Sequence, residues 1–217
     1  ENDLYDLFSD PRKLFSFAVA IVIAITVHEF SHALVANQLG DSTSRSLGRL
    51  SLNPLVHLDP LGTIMLFVAG FGWGKPVPVN PFALRSGAKS GMMMVSLAGP
   101  MSNLVAAFLI ALPLRLDMIY ASTLGGQGSN IFTLLQYIIG INLILCIFNL
   151  LPLAPLDGFK VAVGVLPRDL AVSFARTERY GPMILLGILF LDYLLHLGIL
   201  SSILGPPYQL LFRLVLG

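Results

Sequence analysis

Five consecutive residues carry the strongest chemical signal in the chain: His28-Glu29-Phe30-Ser31-His32. On a helix of 3.6 residues per turn, positions four apart lie about 40° apart, so both imidazoles can grip one metal ion. Glu29, one step from His28, is placed to hold a water at that metal and take its proton. The setting gives this HExxH string its weight, because it lies inside a long apolar run. A charge at the centre of a membrane helix costs roughly 2.5–3.5 kcal/mol, and ionisable groups there mark function by default. The plainer reading is a structural histidine pair satisfied by backbone carbonyls, and that cost weighs against it.

A catalytic zinc has three protein ligands and keeps a fourth position open. His57 lies in a loop beside Asp59-Pro60, and His196 lies near the end of the last apolar run, so neither suits the third place. Asp157 is the better candidate, within Asn149-Leu150-Leu151-Pro152-Leu153-Ala154-Pro155-Leu156-Asp157-Gly158. Pro152 and Pro155 cannot continue a helix without losing hydrogen bonds. The span should unwind there and aim the carboxylate inward, with Gly158 letting the backbone pass close to a ligand.

The elements that position these groups follow from composition. Of 217 residues, 55% are apolar and 12% charged, with a mean hydropathy of +0.81. Soluble domains carry roughly 25% charged residues. Disordered, collagen-like and disulfide-rich classes are excluded, which leaves a polytopic membrane protein. Thirteen basic residues against twelve acidic, with no basic block, exclude nucleic acid as a partner. The single cysteine, Cys146, sits in an apolar run as a small core hydrophobe, and no disulfide framework is possible. The first apolar run exceeds a signal-peptide core and carries charges, so it reads as a span.

Four runs are long enough to cross roughly 30 Å of hydrocarbon: 14–39, 91–114, 130–153 and 180–200. The segment 62–71 is half that length as a helix and reads as re-entrant, a form tolerated where protein surrounds it. Residues 203–216, interrupted by Gly205-Pro206-Pro207, are expected as an interfacial C-terminal helix. The period-two character of 44–52 suggests a small β-hairpin over about 44–60. The fold class expected is an all-α polytopic membrane protein in one domain, 1–217, with at least four spans, the re-entrant piece and the hairpin. His57 with Asp59 reads as an interfacial hydrogen-bonding pair. Asp192 with His196, four apart, reads as a local pair near the membrane surface rather than a second metal site.

Lysine and arginine counts orient the spans. If 62–71 re-enters, nine basic residues face the cytoplasm (45, 49, 75, 85, 89, 160, 168, 176 and 179) and four face out. If it crosses, 12 and 13 exchange sides with 45 and 49 and the score is unchanged. The rule orients the later loops but not the N-terminus, which the length argument alone puts outside.

Three motifs in order resemble one family. HEFSH on a first span, Gly99-Pro100-Met101-Ser102-Asn103 on a second and NLLPLAPLDG on a third look like the site-2 protease family of intramembrane metalloproteases. The loops NPLVHLDPLGT and GWGKPVPVNP resemble those of its compact prokaryotic members, and no stretch is long enough for a PDZ or CBS domain. The resemblance implies that His28, His32 and Asp157 bind one zinc and that Glu29 is the general base. It further implies that Asn149 binds substrate or polarises its scissile carbonyl, with Asn103 in the core beside the site, also as a substrate-binding candidate. For both asparagines the plainer role is interhelical hydrogen bonding.

The expected activity is hydrolysis of peptide bonds within or next to transmembrane segments of membrane-protein substrates, in the lipid bilayer of a prokaryotic plasma membrane. A substrate held in extended form could add to an exposed strand edge. Of two candidates, 44–52 is favoured over 75–81, where Pro76, Pro78 and Pro81 lack N–H groups. The competing class is a membrane metal-ion transporter, or metal-binding protein, using the same three ligands.

Overall fold

The computed structural model describes Leu7 and residues 9–69, 72–115 and 130–216. It is mostly helical. We number the principal helices α1 (Pro11–Gln38), α2 (Pro60–Ala69), α3 (Ala88–Arg115), α4 (Asn130–Asn149), α5 (Asp157–Val165), α6 (Arg168–Ala175), α7 (Gly181–Leu195) and α8 (Ile199–Leu216). Four of them, α1, α3, α4 and α8, are long and apolar enough to cross a membrane.

Local sequence sets the ends of α1. Asp10 accepts the Arg12 N–H at 2.9 Å, with Pro11 at the first helical position, where its missing N–H loses nothing. At the other end Gly40 adopts φ +108°. The Gly40 N–H donates to the Asn37 carbonyl and the Asp41 N–H to that of Ala36, the paired bonds of a glycine C-cap.

The core is built by α1, α3 and α4, with α5 against α3 and α8 against α3 and α4. Along α1 the buried residues Ser16, Ala20, Ala24, His28, His32 and Ala36 recur every fourth position. Along α3, Gly91, Val95, Gly99, Asn103, Ala107 and Ala111 do the same. Two rows of small residues at this spacing let ridges interdigitate and backbones approach closely, which drives helix association where lipid offers no hydrophobic gain. The two rows run antiparallel, and the histidines of one face Gly99 and Asn103 of the other.

Several expectations are corrected. Residues 44–60 form no hairpin: Thr43–Ser46 is a helical turn, Pro54–Val56 a 3-10 turn, and β structure among the described residues is one antiparallel bridge, Leu58 to Gly74. The weak alternation misled because it does not track burial, which here follows a helical turn and loop. Leu47 and Leu52 are more than 60% exposed, while Ser44 and Arg49 are buried.

The expected span 180–200 is α7, only 15 residues or about 22 Å long, and it stops at His196 (φ +51°) and Gly198 (φ +65°). The expected interfacial segment 203–216 is instead the larger part of α8, which continues through Pro206 and Pro207. Membrane helices tolerate such prolines because neighbouring groups satisfy the freed backbone. The third span ends at Asn149 rather than 153. Two further pairs are absent. Asp59 caps α2 by accepting the Gly62 N–H at 2.8 Å, while His57 Nε2 bonds the Ser51 carbonyl. Asp192 accepts the N–H of Ile199 at 2.6 Å and so links α7 to α8. Of the expected re-entrant segment, 70–71 lie outside the described residues.

Candidate metal centre

The α1 row delivers His28 and His32 to one buried point, 5% and 8% exposed, with their rings edge to face at 4.6 Å. Asp157 reaches the same point from the first turn of α5. Between α4 and α5 the chain is unwound over 150–156 and folds back sharply. A Cβ on Gly158 would collide with the carbonyls of Leu150 and Leu151. Gly158 thus serves this close return of the chain, not the approach of a ligand. Asp157 Oδ2 lies 3.0 Å from His28 Nε2 and 3.1 Å from His32 Nε2.

The hydrogen bonds behind the rings decide what these atoms present. His32 Nδ1 lies 2.7 Å from the Val95 carbonyl, which can only accept, so Nδ1 carries the proton. His28 Nδ1 lies 2.7 Å from Asn103 Oδ1. The orientation of Asn103 is itself forced. Its Nδ2 donates to the Ala24 carbonyl at 3.0 Å and to Asn142 Oδ1 at 2.8 Å, and Asn142 donates in turn to the Ile138 carbonyl. Two backbone carbonyls thereby fix every donor and acceptor in the chain.

With both Nδ1 atoms engaged behind them, the two rings turn their Nε2 atoms toward the same carboxylate oxygen. Protons on Nε2 can bridge these atoms, and a metal ion can take the place of those protons. Two imidazole nitrogens and one carboxylate oxygen, all within 4.8 Å of one another, could hold a metal ion and match in type the three-ligand set of a catalytic zinc site. Space is kept for it by Gly99, where a Cβ would stand 2.5 Å from His32 Nε2 and 2.7 Å from His28 Cε1.

Glu29, on the neighbouring flank of α1, is half-buried. Its Oε2 accepts the Val77 N–H at 3.2 Å from an extended segment that crosses the helix. Asn149 stays on the last turn of α4 with its amide turned back onto the Leu145 carbonyl at 3.0 Å. Asn103 is fully buried beside His28. Sequence reasoning missed Asn142 and the Val95 carbonyl, and named Gly99 within a motif without giving it a role. Asn142 was detectable, as a polar residue in the middle of an apolar run; a carbonyl has no sequence signal.

Comparison with known proteins points the same way. Residues 116–191 match the model of peptidase family M50. A candidate zinc metalloprotease of Bacillus subtilis (strain 168), YwhC, is 40% identical over 178 residues, 81% of this chain and 81% of that protein. Rip2 of Mycobacterium tuberculosis (strain ATCC 25618 / H37Rv), another candidate zinc metalloprotease, is 32% identical over 178 residues, 78% of this chain and 64% of that protein. Rip2 of Mycolicibacterium smegmatis is 30% identical over 174 residues, 77% of this chain and 64% of that protein. The chain therefore spans just under two thirds of these mycobacterial relatives. No solved structure matches it. A relative matched over most of both sequences and a donor set suited to zinc lead to one conclusion: the chain belongs to peptidase family M50, the site-2 protease family of intramembrane zinc metalloproteases.

Proposed function

We infer that this chain hydrolyses peptide bonds within or beside the membrane-spanning segments of protein substrates, with His28, His32 and Asp157 holding one zinc and Glu29 as general base. The observation that carries the reading is the convergence of two imidazole Nε2 atoms on Asp157 Oδ2, a buried donor set that fits one metal ion. When bound, zinc supplies a Lewis acid for the scissile carbonyl and lowers the pKa of water toward about 7. Glu29 takes the proton of the attacking water on its carboxylate and returns it to the leaving amine. Asn149 binds the substrate backbone or polarises the scissile carbonyl. Asn103, with its amide engaged by Ala24, Asn142 and His28, orients His28 rather than touching substrate.

The membrane arrangement follows. Helix α2 is about 15 Å long, and the bridge from Leu58 to Gly74 brings the chain before it against the chain after it. It therefore re-enters rather than crosses. The N-terminus then lies outside and the nine basic residues of the two long loops lie in the cytoplasm. The bacterial relatives support the plasma membrane of a prokaryote. With no hairpin over 44–60, the extended chain beyond Gly72 is the segment that borders the base.

The test is Glu29→Gln, which keeps volume and hydrogen bonding but cannot accept a proton. Purified variant should retain zinc and lose cleavage of a single-span peptide by about 10²–10⁴-fold, and a chelator should silence the wild type. Wild-type cleavage by Glu29→Gln would remove Glu29 as the base. If neither protein cleaves while zinc crosses liposomes holding either one, transport replaces hydrolysis.

A further inference from the structure

The extended segment over Glu29 is held from several sides. The Lys75 N–H donates to the His57 carbonyl at 2.7 Å, and the Asn80 N–H donates to Asp41 Oδ2 at 2.7 Å. Between these ties the Val77 N–H reaches Glu29 Oε2. Prolines at 76 and 78 keep this stretch extended. Gly74 passes close by: a Cβ there would stand 3.1 Å from Ile25 Cγ2, 3.2 Å from the His57 carbonyl and 3.7 Å from Glu29 Oε1.

Arg49 closes this arrangement. Only 6% exposed, it donates through Nη2 to the carbonyls of both Lys75 and Pro76, the latter at 3.2 Å. Its Nε has no hydrogen-bond partner among the described residues. Burial pushes the guanidinium below its usual pKa, and the charge that opposes this push is the carboxylate of Glu29. A buried arginine with no salt bridge among the described residues is expensive to keep. Its two bonds both go to the segment that touches the base.

We propose that Arg49 is a positioning residue for peptide hydrolysis: it anchors the Lys75 and Pro76 carbonyls so that the Val77 N–H fixes Glu29 Oε2 and leaves Oε1 to take the proton. The proposal rests on the reading of Glu29 as general base. A carboxylate on a helix can swing through several rotamers, and each loses the aim of the proton-accepting oxygen. One N–H, on a segment whose two preceding carbonyls are held by Arg49 Nη2, removes that freedom. Lysine is a point charge on a flexible stem and can restrain the segment only in part.

The experiment uses the full chain, purified in detergent, with a single-span peptide that the wild type cleaves. Arg49→Met should keep its zinc and its KM while kcat falls about 10- to 100-fold, the scale of a misplaced catalytic group. Arg49→Lys should recover part of that loss. Val77→Pro removes the N–H from a stretch already extended between two prolines, and should lower kcat similarly. It also serves if Arg49→Met does not fold. Wild-type kcat in Val77→Pro, loss of zinc in Arg49→Met, or a change confined to KM would overturn the proposal. Glu29→Gln runs beside them. If it is inactive while Val77→Pro and Arg49→Met turn over normally, positioning fails and the base stands. If Glu29→Gln is itself active, the underlying assignment fails first.

Discussion

The two flanks of α1 at the site are built differently. On one, His28 and His32 are held from the α3 side by Asn103 and a main-chain carbonyl, and every polar atom behind them ends on backbone of a spanning helix. On the other, Glu29 is held by one N–H from an extended loop segment. The proposed ligands must keep one geometry, so buried helices suit them. The proposed base must accept and release a proton and admit a substrate, so a loop suits it. Rigidity and access are divided between two faces of one helix.

The comparison breaks most completely at the ligands. His28→Ala, His32→Ala and Asp157→Ala should each abolish bound zinc and activity together, because two ligands rarely hold the ion. Metal analysis of purified protein checks this, and a full zinc complement in Asp157→Ala would free that residue from the role.

Behind the ligands the effect should be smaller. Asn103→Ala removes the acceptor that orients His28 and should weaken zinc by about 10–100-fold, read by competition with a chromogenic chelator. Asn142→Ala should do less, since it acts on Asn103 alone. Equal zinc affinity in wild type and Asn103→Ala would show that α1 by itself aims His28.

The smallest effect concerns the loop flank. Burial raises the Asp41 carboxyl, but hydrogen bonds from Thr43 and Asn80 outweigh it and hold the group below its ordinary value of 3.8. A depressed folded pKa gives stability that is present above the unfolded value and lost as pH falls through the folded one. Asp41→Ala should therefore unfold more easily than wild type at neutral pH, by about 1–3 kcal/mol. The gap should narrow below about pH 4 in thermal unfolding. A gap independent of pH would mean that Asp41 acts through packing alone.

Much of this centre was legible in the residues. The HExxH string and Asp157 stand out because charge is costly in an apolar run, and α1, α3 and α4 follow from length. The rest was hidden for physical reasons. The weak alternation at 44–52 does not track burial: a helical turn there leaves Leu47 and Leu52 outside and Ser44 and Arg49 inside. Helix α7 and the start of α8 form one apolar run, and the break at His196 and Gly198 is a backbone choice with little hydropathic trace. The proline pair in α8 reads as a stop but is tolerated there. Val95 reaches His32 with a main-chain oxygen, which no side chain announces.

The matched rows of α1 and α3 have a consequence for assembly. Small residues every fourth position make the contact nearly periodic, so a slide of one turn, about 6 Å, again sets small against small: Ala20, Ala24 and Ala36 are near equivalents. Apolar packing alone would leave the two helices several comparable alignments. The side-chain polar contacts, above all His28 with Asn103 and His32 with the Val95 carbonyl, distinguish one alignment from the next. The polar groups of the candidate site thus act as the vernier of the fold, and the helices lock where the histidines find their partners.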